Sequence, residues 1–167
     1  MEDIARASGL SKGALYLYYR SKDAIIAALL HTMLAWELRA VRSAATAGGS
    51  ATERLLAVSA HFLAEIERMT AIMPILLEFY AVAARQASMR PAISESYVAF
   101  RDVLASVVRQ GIAAGEFRDM DPDEVAFTMI TQMEGQALLW SIAPKEDDWR
   151  ANGVAAVRLL LDGLRPR

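Results

Sequence analysis

Between Ile4 and Lys22 the chain reads IARASGLSKGALYLYYRSK, with four cations, three tyrosines and no acid. Arg6, Lys12, Arg20 and Lys22 stand out against a formal net charge of −2 for all 167 residues. Cations interleaved with hydrogen-bonding aromatics suit a polyanion. The charges neutralise phosphates, and the phenol hydroxyls of Tyr16 and Tyr18 can donate to phosphate oxygens from rigid side chains. Other chemistry is thinly represented. His61 and Glu65 share a helical face, but two ligands do not make a metal site, and a surface pair is the plainer reading. There is no HExxH, no Glu-x-x-His pair, no phosphate-binding glycine loop and no nucleophile elbow. The expectation is a protein that binds rather than catalyses, with no cofactor and no metal.

Positioning the basic stretch requires short helices. Ser8-Gly9-Leu10-Ser11 reads as a turn, because Gly9 accepts the left-handed conformation at a helix end and Ser11 is a good N-cap. The pattern predicts helices over Met1–Ser8 and Lys12–Tyr19, and two short helices joined by a glycine-bearing turn read as a helix-turn-helix. Ser21 caps a third helix over Lys22–Ala45, whose apolar positions Ile25, Ile26, Leu29, Leu30, Met33 and Trp36 keep a helical period. That helix is too long for the head alone and is expected to connect head to body.

Beyond Ala47-Gly48-Gly49-Ser50 the chain predicts five further helices. They run over Thr52–Arg68, from Pro74 to about Gln86, Pro91–Ala114, from Asp121-Pro122 to Ile142, and Asp147–Leu164. No useful stretch alternates with period two, so the fold class is all-α, with domains at 1–42 and 43–167. The charge divides accordingly: residues 1–45 hold six cations against four acids, and residues 46–167 hold twelve against sixteen. The apolar runs Ala24–Trp36 and Ala71–Ala84 are too short to cross a bilayer. Glu2 and Asp3 sit where a secretory leader carries positive charge. With no cysteine in the chain, the expectation is a cytoplasmic protein without membrane association.

Between Val125 and Ile142 the single charge is Glu134, and a helix apolar all round must be buried all round. The economical solution is a homodimer in which the last two helices of each chain form a four-helix bundle; the plainer one is a central helix covered by its own chain.

Taken together, Ile4-Ala5, Ala7, Gly9-Leu10-Ser11, Lys12-Gly13, Leu15, Tyr16, Tyr18-Tyr19, Lys22 and Ile25 resemble the DNA-binding signature of the TetR family of transcriptional regulators. The resemblance covers about twenty-two residues of the chain and continues only as architecture. Members of the family carry a further helix before this signature, so the head expected from this chain has two helices and the connecting one. The resemblance implies a ligand-responsive regulator, commonly a repressor, bound as a dimer to a palindromic double-stranded operator. It places Ser11, Lys12, Gly13, Ala14, Tyr16, Leu17, Tyr18 and Lys22 at the DNA, and assigns Tyr19 to the core; core packing is an equally good reading for Tyr18. The alternative from another class is a dimeric helical small-molecule-binding protein with a vestigial head that does not bind DNA.

The expected sensor lies in the body, where Phe62, Met69, Met73, Phe79, Tyr80, Tyr97, Phe100, Met129 and Met133 would line a site for a mostly apolar effector, with Gln136 or Gln132 orienting it. Glu78 and Glu134 each interrupt an apolar stretch. A buried carboxylate needs a partner, such as Arg85, a neighbouring hydroxyl or a cationic ligand.

Overall fold

The computed structural model describes residues 1–145 and 148–166, and every regular element among the described residues is helical. It divides into two units, Met1–Glu37 and Leu38–Arg167, with the boundary inside the third helix.

The first unit contains α1 (Glu2–Ser8), α2 (Lys12–Tyr18) and the start of α3 (Lys22–Ala45). Gly9 ends α1 in the left-handed region at φ 69°, which is why a residue without a Cβ stands there. The Ser11 hydroxyl accepts from the Ala14 N–H at 3.1 Å and starts α2. The Ser21 hydroxyl accepts from the Ala24 N–H at 3.1 Å and starts α3. Ala5, Leu15 and Ile25 form the small core, with Met1, Ile4 and Tyr19 packed against it.

The second unit holds the rest of α3, then α4 (Ala51–Arg68), α5 (Met73–Arg85), a 3-10 turn at Ala87–Met89, α6 (Arg90–Ala113), α7 (Pro122–Ile142) and α8 (Trp149–Leu164). Ser50 and Glu53 make a reciprocal capping box: the Glu53 N–H donates to the Ser50 hydroxyl and the Ser50 N–H to the Glu53 carboxylate. Asp121 and Asp148 cap α7 and α8 one-way, their carboxylates accepting from the N–H groups of Asp123 and Ala151. The most extensive packing is α6 on α7, followed by α8 on α4. At Gly153 a Cβ would lie 2.7 Å from the Leu63 methyls, so a larger residue there would have to push that side chain aside. The main core joins Val41, Ala45, Leu55, Val58, Leu104, Val108, Met129 and Val157, and a second cluster gathers Leu63, Ile66, Met73 and Ala137.

Expected and observed helices agree to within a residue or two at their ends. The 3-10 turn before α6 was not expected, and the expected start of α8, Asp147, lies outside the described residues. One expectation is corrected. By length and by a mean hydropathy of 1.5, α3 is apolar enough to cross a membrane, although the interrupted run Ala24–Trp36 looked too short. Part of its apolarity is used within the fold, since Ile25, Leu30, Val41 and Ala45 are buried, while Leu29 and Trp36 are exposed.

Candidate functional site

Leu15 anchors α2 by burial, and this fixes what the other side chains of so short a helix can do. With Leu15 turned inward, Tyr16, Leu17 and Tyr18 face solvent, the last two at 84% and 82% exposure. A leucine and a tyrosine this bare stabilise nothing in their own unit. Tyr18, which could equally have been core, is therefore a surface residue, while Tyr19 packs beside Leu15 as expected. Ser11, Lys12, Gly13 and Lys22 are exposed and Ala14 is half-buried. The expected residues thus lie on α2, at its N-cap and in the first turn of α3, and all but Ala14 are exposed.

Lys12 is not an idle cation. Its ammonium donates to the Glu2 carboxylate of α1 at 2.9 Å. That hydrogen bond, with the attraction between the charges, raises the lysine pKa and lowers the glutamate's. A phosphate approaching Lys12 must compete with Glu2, a residue that the sequence reading did not connect with the site.

The expected effector residues are not gathered in the same way. Met129 and Met133 belong to the main core, with Phe100 against it, and Met73 belongs to the second cluster. Phe62 packs against both, and Phe79 is buried while Met69 and Tyr97 are half-buried. A cavity of only about 10 Å³ lies at the second cluster, lined by Leu63, Ile66, Glu67, Gln136, Trp140, Trp149 and Arg150. Of the expected residues it includes Gln136. Its rim is an ion pair between Arg150 and Glu67, and Trp149 is held by its indole N–H on the Ala143 carbonyl at 3.0 Å.

Gln132 is the most informative polar group of the body. Both its amide nitrogen and its carbonyl oxygen are buried without a hydrogen-bond partner. An unsatisfied buried polar group costs about 1–3 kcal/mol, so its retention asks for an explanation. Glu134 finds a protein partner in Tyr80, whose hydroxyl donates to its carboxylate at 3.5 Å. Desolvation of its carboxyl pushes the Glu134 pKa up, although the residue as a whole is exposed, and desolvation pushes the Tyr80 pKa up as well. Glu78 is exposed, so water hydrates its charge and the internal partner expected for it is not needed. Glu65 pairs with Arg68, the residue one turn on.

Two family profiles match the chain in succession. Residues 1–29 match the bacterial regulatory proteins of the tetR family, and residues 51–166 match the C-terminal part of the BetI-type transcriptional repressors. Among curated proteins, the uncharacterised helix-turn-helix regulator YfiR of Bacillus subtilis (strain 168) is 24% identical over 127 residues, or 73% of this chain. The match spans 60% of YfiR's own length, less than two thirds of it. A crystal structure from Pseudomonas aeruginosa PAO1, described as that of a proposed transcriptional regulator, superposes with a TM-score of 0.84 at 24% identity. It covers 97% of this chain and 78% of that one. The regulator FadR of Bacillus subtilis, solved in complex with stearoyl-CoA, superposes with a TM-score of 0.79 at 20% identity, covering 98% of this chain and 88% of FadR.

Proposed function

This chain belongs to the TetR family of bacterial regulatory proteins, and from that premise we propose that it is a ligand-responsive transcriptional repressor that binds a palindromic operator as a dimer. The observation that carries the reading is the bare outer face of α2, where Tyr16, Leu17 and Tyr18 stand exposed beside Ser11, Lys12 and Lys22. A recognition helix enters the major groove with such residues. Phosphate contacts set its register and base edges are read by the side chains between them. Lys22 stands in the first turn of α3, where unpaired backbone amides also favour a phosphate.

The dimer joins α7 and α8 to their copies. Phe127, Leu138, Leu139, Ile142 and Leu159 are large apolar side chains exposed on these two helices, and a four-helix bundle would cover them. Two heads would then meet half-sites about one helical turn (~34 Å) or more apart.

The effector is a small molecule with a large apolar part and one group able both to donate and to accept a hydrogen bond. Gln132 supports the second feature, because its buried amide lacks both kinds of partner. The methionine- and aromatic-rich core supports the first, as does the description of FadR, a protein of the same fold, in complex with stearoyl-CoA. Binding would act by favouring a shape of the dimer that fits the operator less well. The protein works in the cytoplasm, where its operator is.

The test is selection by the purified protein from a pool of random DNA duplexes. Enrichment of an inverted repeat is the expected result. Retention of the dimer without enrichment of any duplex would favour a helical binding protein whose head does not read DNA.

A further inference from the structure

The connection from α3 to α4 is held by side chains in addition to the backbone bonds that Thr46 and Ala47 make to the last turn of α3. Its residues, Thr46-Ala47-Gly48-Gly49-Ser50, are largely exposed, and a run with two glycines is free to hinge unless something spans it. Arg54 spans it. Its Nη1 donates to the carbonyl of Ala45, the last residue of α3, at 3.2 Å and to the Gln110 side-chain oxygen of α6 at 2.8 Å. Its Nε donates to the Ser50 carbonyl at 3.4 Å. Gln110 is itself steadied by donating to the Ser106 hydroxyl at 3.3 Å, so α6 presents the acceptor. On the far side of the connector, the Glu116 carboxylate accepts from the backbone N–H groups of Ala51 and Thr52 at 2.9 and 3.3 Å. This ties the first turn of α4 to the segment between α6 and α7.

We infer that Arg54 is a positioning residue, which links the final carbonyl of α3 to α6 through Gln110 and so, beside the core contacts of Val41 and Ala45, passes a displacement of α6 to α3. The inference rests on the reading that α3 leads to a DNA-binding head. The chemistry favours arginine in this role. A guanidinium offers several donors in a fixed fork, so it can hold a helix-end carbonyl and a side-chain oxygen together. The cation also complements the partial negative charge at the end of α3. A lysine at the same place would keep the charge and lose the fork.

The experiment compares wild-type protein with Gln110→Leu, which cuts the α6 arm and leaves Arg54 on Ala45, and with Gln110→Glu, which restores an acceptor. Hydrogen exchange reads the amides of residues 42–50 against those of α4, α6 and α8, and the affinity for a duplex selected from a random pool is measured in parallel. Gln110→Leu is expected to speed exchange about fivefold at 42–50 alone. It should also change duplex affinity by a similar factor, and Gln110→Glu should reverse both. Uniform acceleration throughout the body, unchanged exchange at 42–50, or local loosening without any change in affinity would each overturn the inference. If the wild-type protein selects no duplex, the regulator reading fails, and the pattern of exchange alone then decides whether Arg54 braces the connector.

Discussion

The outer faces of α2 and α7 both expose large apolar side chains, and their surroundings tell them apart. On α2, Leu17 and Tyr18 stand among Ser11, Lys12 and Tyr16, with Arg20 and Lys22 following in sequence. On α7, Phe127, Leu138, Leu139 and Ile142 are exposed along a helix whose one charge within Val125–Ile142 is Glu134. Apolar surface mixed with cations and hydroxyls suits a polyanion with apolar base edges. Apolar surface without countercharge suits another apolar surface. Exposure alone names neither partner; the company it keeps distinguishes them.

The comparison breaks most visibly on the α7 side. Replacing Phe127 and Leu138 together by Asp places two charges on a face that the account covers with a second copy. The dimer dissociation constant should rise about a hundredfold or more, the scale of losing an interface centre, with the helical content unchanged. Sedimentation at micromolar concentration checks it, and a dimer of unaltered strength would assign that face to something else.

On the α2 side, Leu15→Ala removes the buried anchor that turns Tyr16, Leu17 and Tyr18 outward. A buried leucine truncated to alanine costs about 2–5 kcal/mol, and the core that must absorb this has just Ala5 and Ile25 as its other buried members. NMR of residues 1–30 should show disorder at 25 °C while the body remains folded. Loss of both together would show that the head and body do not melt independently.

Those two faces were unequally legible before the structure. Ser11, Ser21 and Asp121 carry the local chemistry of a helix start ahead of an apolar period, and all three are caps. The 3-10 turn at Ala87–Met89 has no such punctuation. Tyr18 could not be assigned to core or surface because a helix of seven residues is too short to display a period. On α7 the opposite problem arises: apolar residues on every side leave no pattern from which to choose the inward face. The effector candidates scattered for a related reason, since Met and Phe look alike in sequence whether they line a cavity or fill a core. Gln132 and Gln136 lie one turn apart on the same helix, yet packing leaves the amide of the first buried without a partner and sets the second beside a small cavity.

Two smaller effects sharpen the contrast. Glu134 has a pKa raised by desolvation in the folded protein, so the native state holds its proton to higher pH than the unfolded chain does. Stability contributed by this group is present below the unfolded carboxylate pKa and is lost as pH rises through the folded value. Glu134→Gln should therefore raise the melting temperature at pH 7 and flatten its fall between about pH 4 and 7. A steeper fall in the variant would contradict the assigned direction. Smallest is Glu2→Gln, which frees Lys12 for phosphate. Because the pair is exposed, duplex affinity should rise by no more than about fivefold. A decrease would mean that Glu2 helps to place Lys12 rather than competing for it.

The central claim is that α2 and the start of α3 read DNA through the residues they expose. Its most direct test is fluorescence anisotropy with a selected duplex at several salt concentrations, on wild-type protein, Lys22→Ala and Tyr16→Ala. The account predicts an affinity that falls linearly on a log–log plot. Lys22→Ala should make the slope shallower by about 0.9, and Tyr16→Ala should weaken binding at every salt concentration. A salt-independent affinity, or slopes and affinities unchanged in both variants, would contradict it.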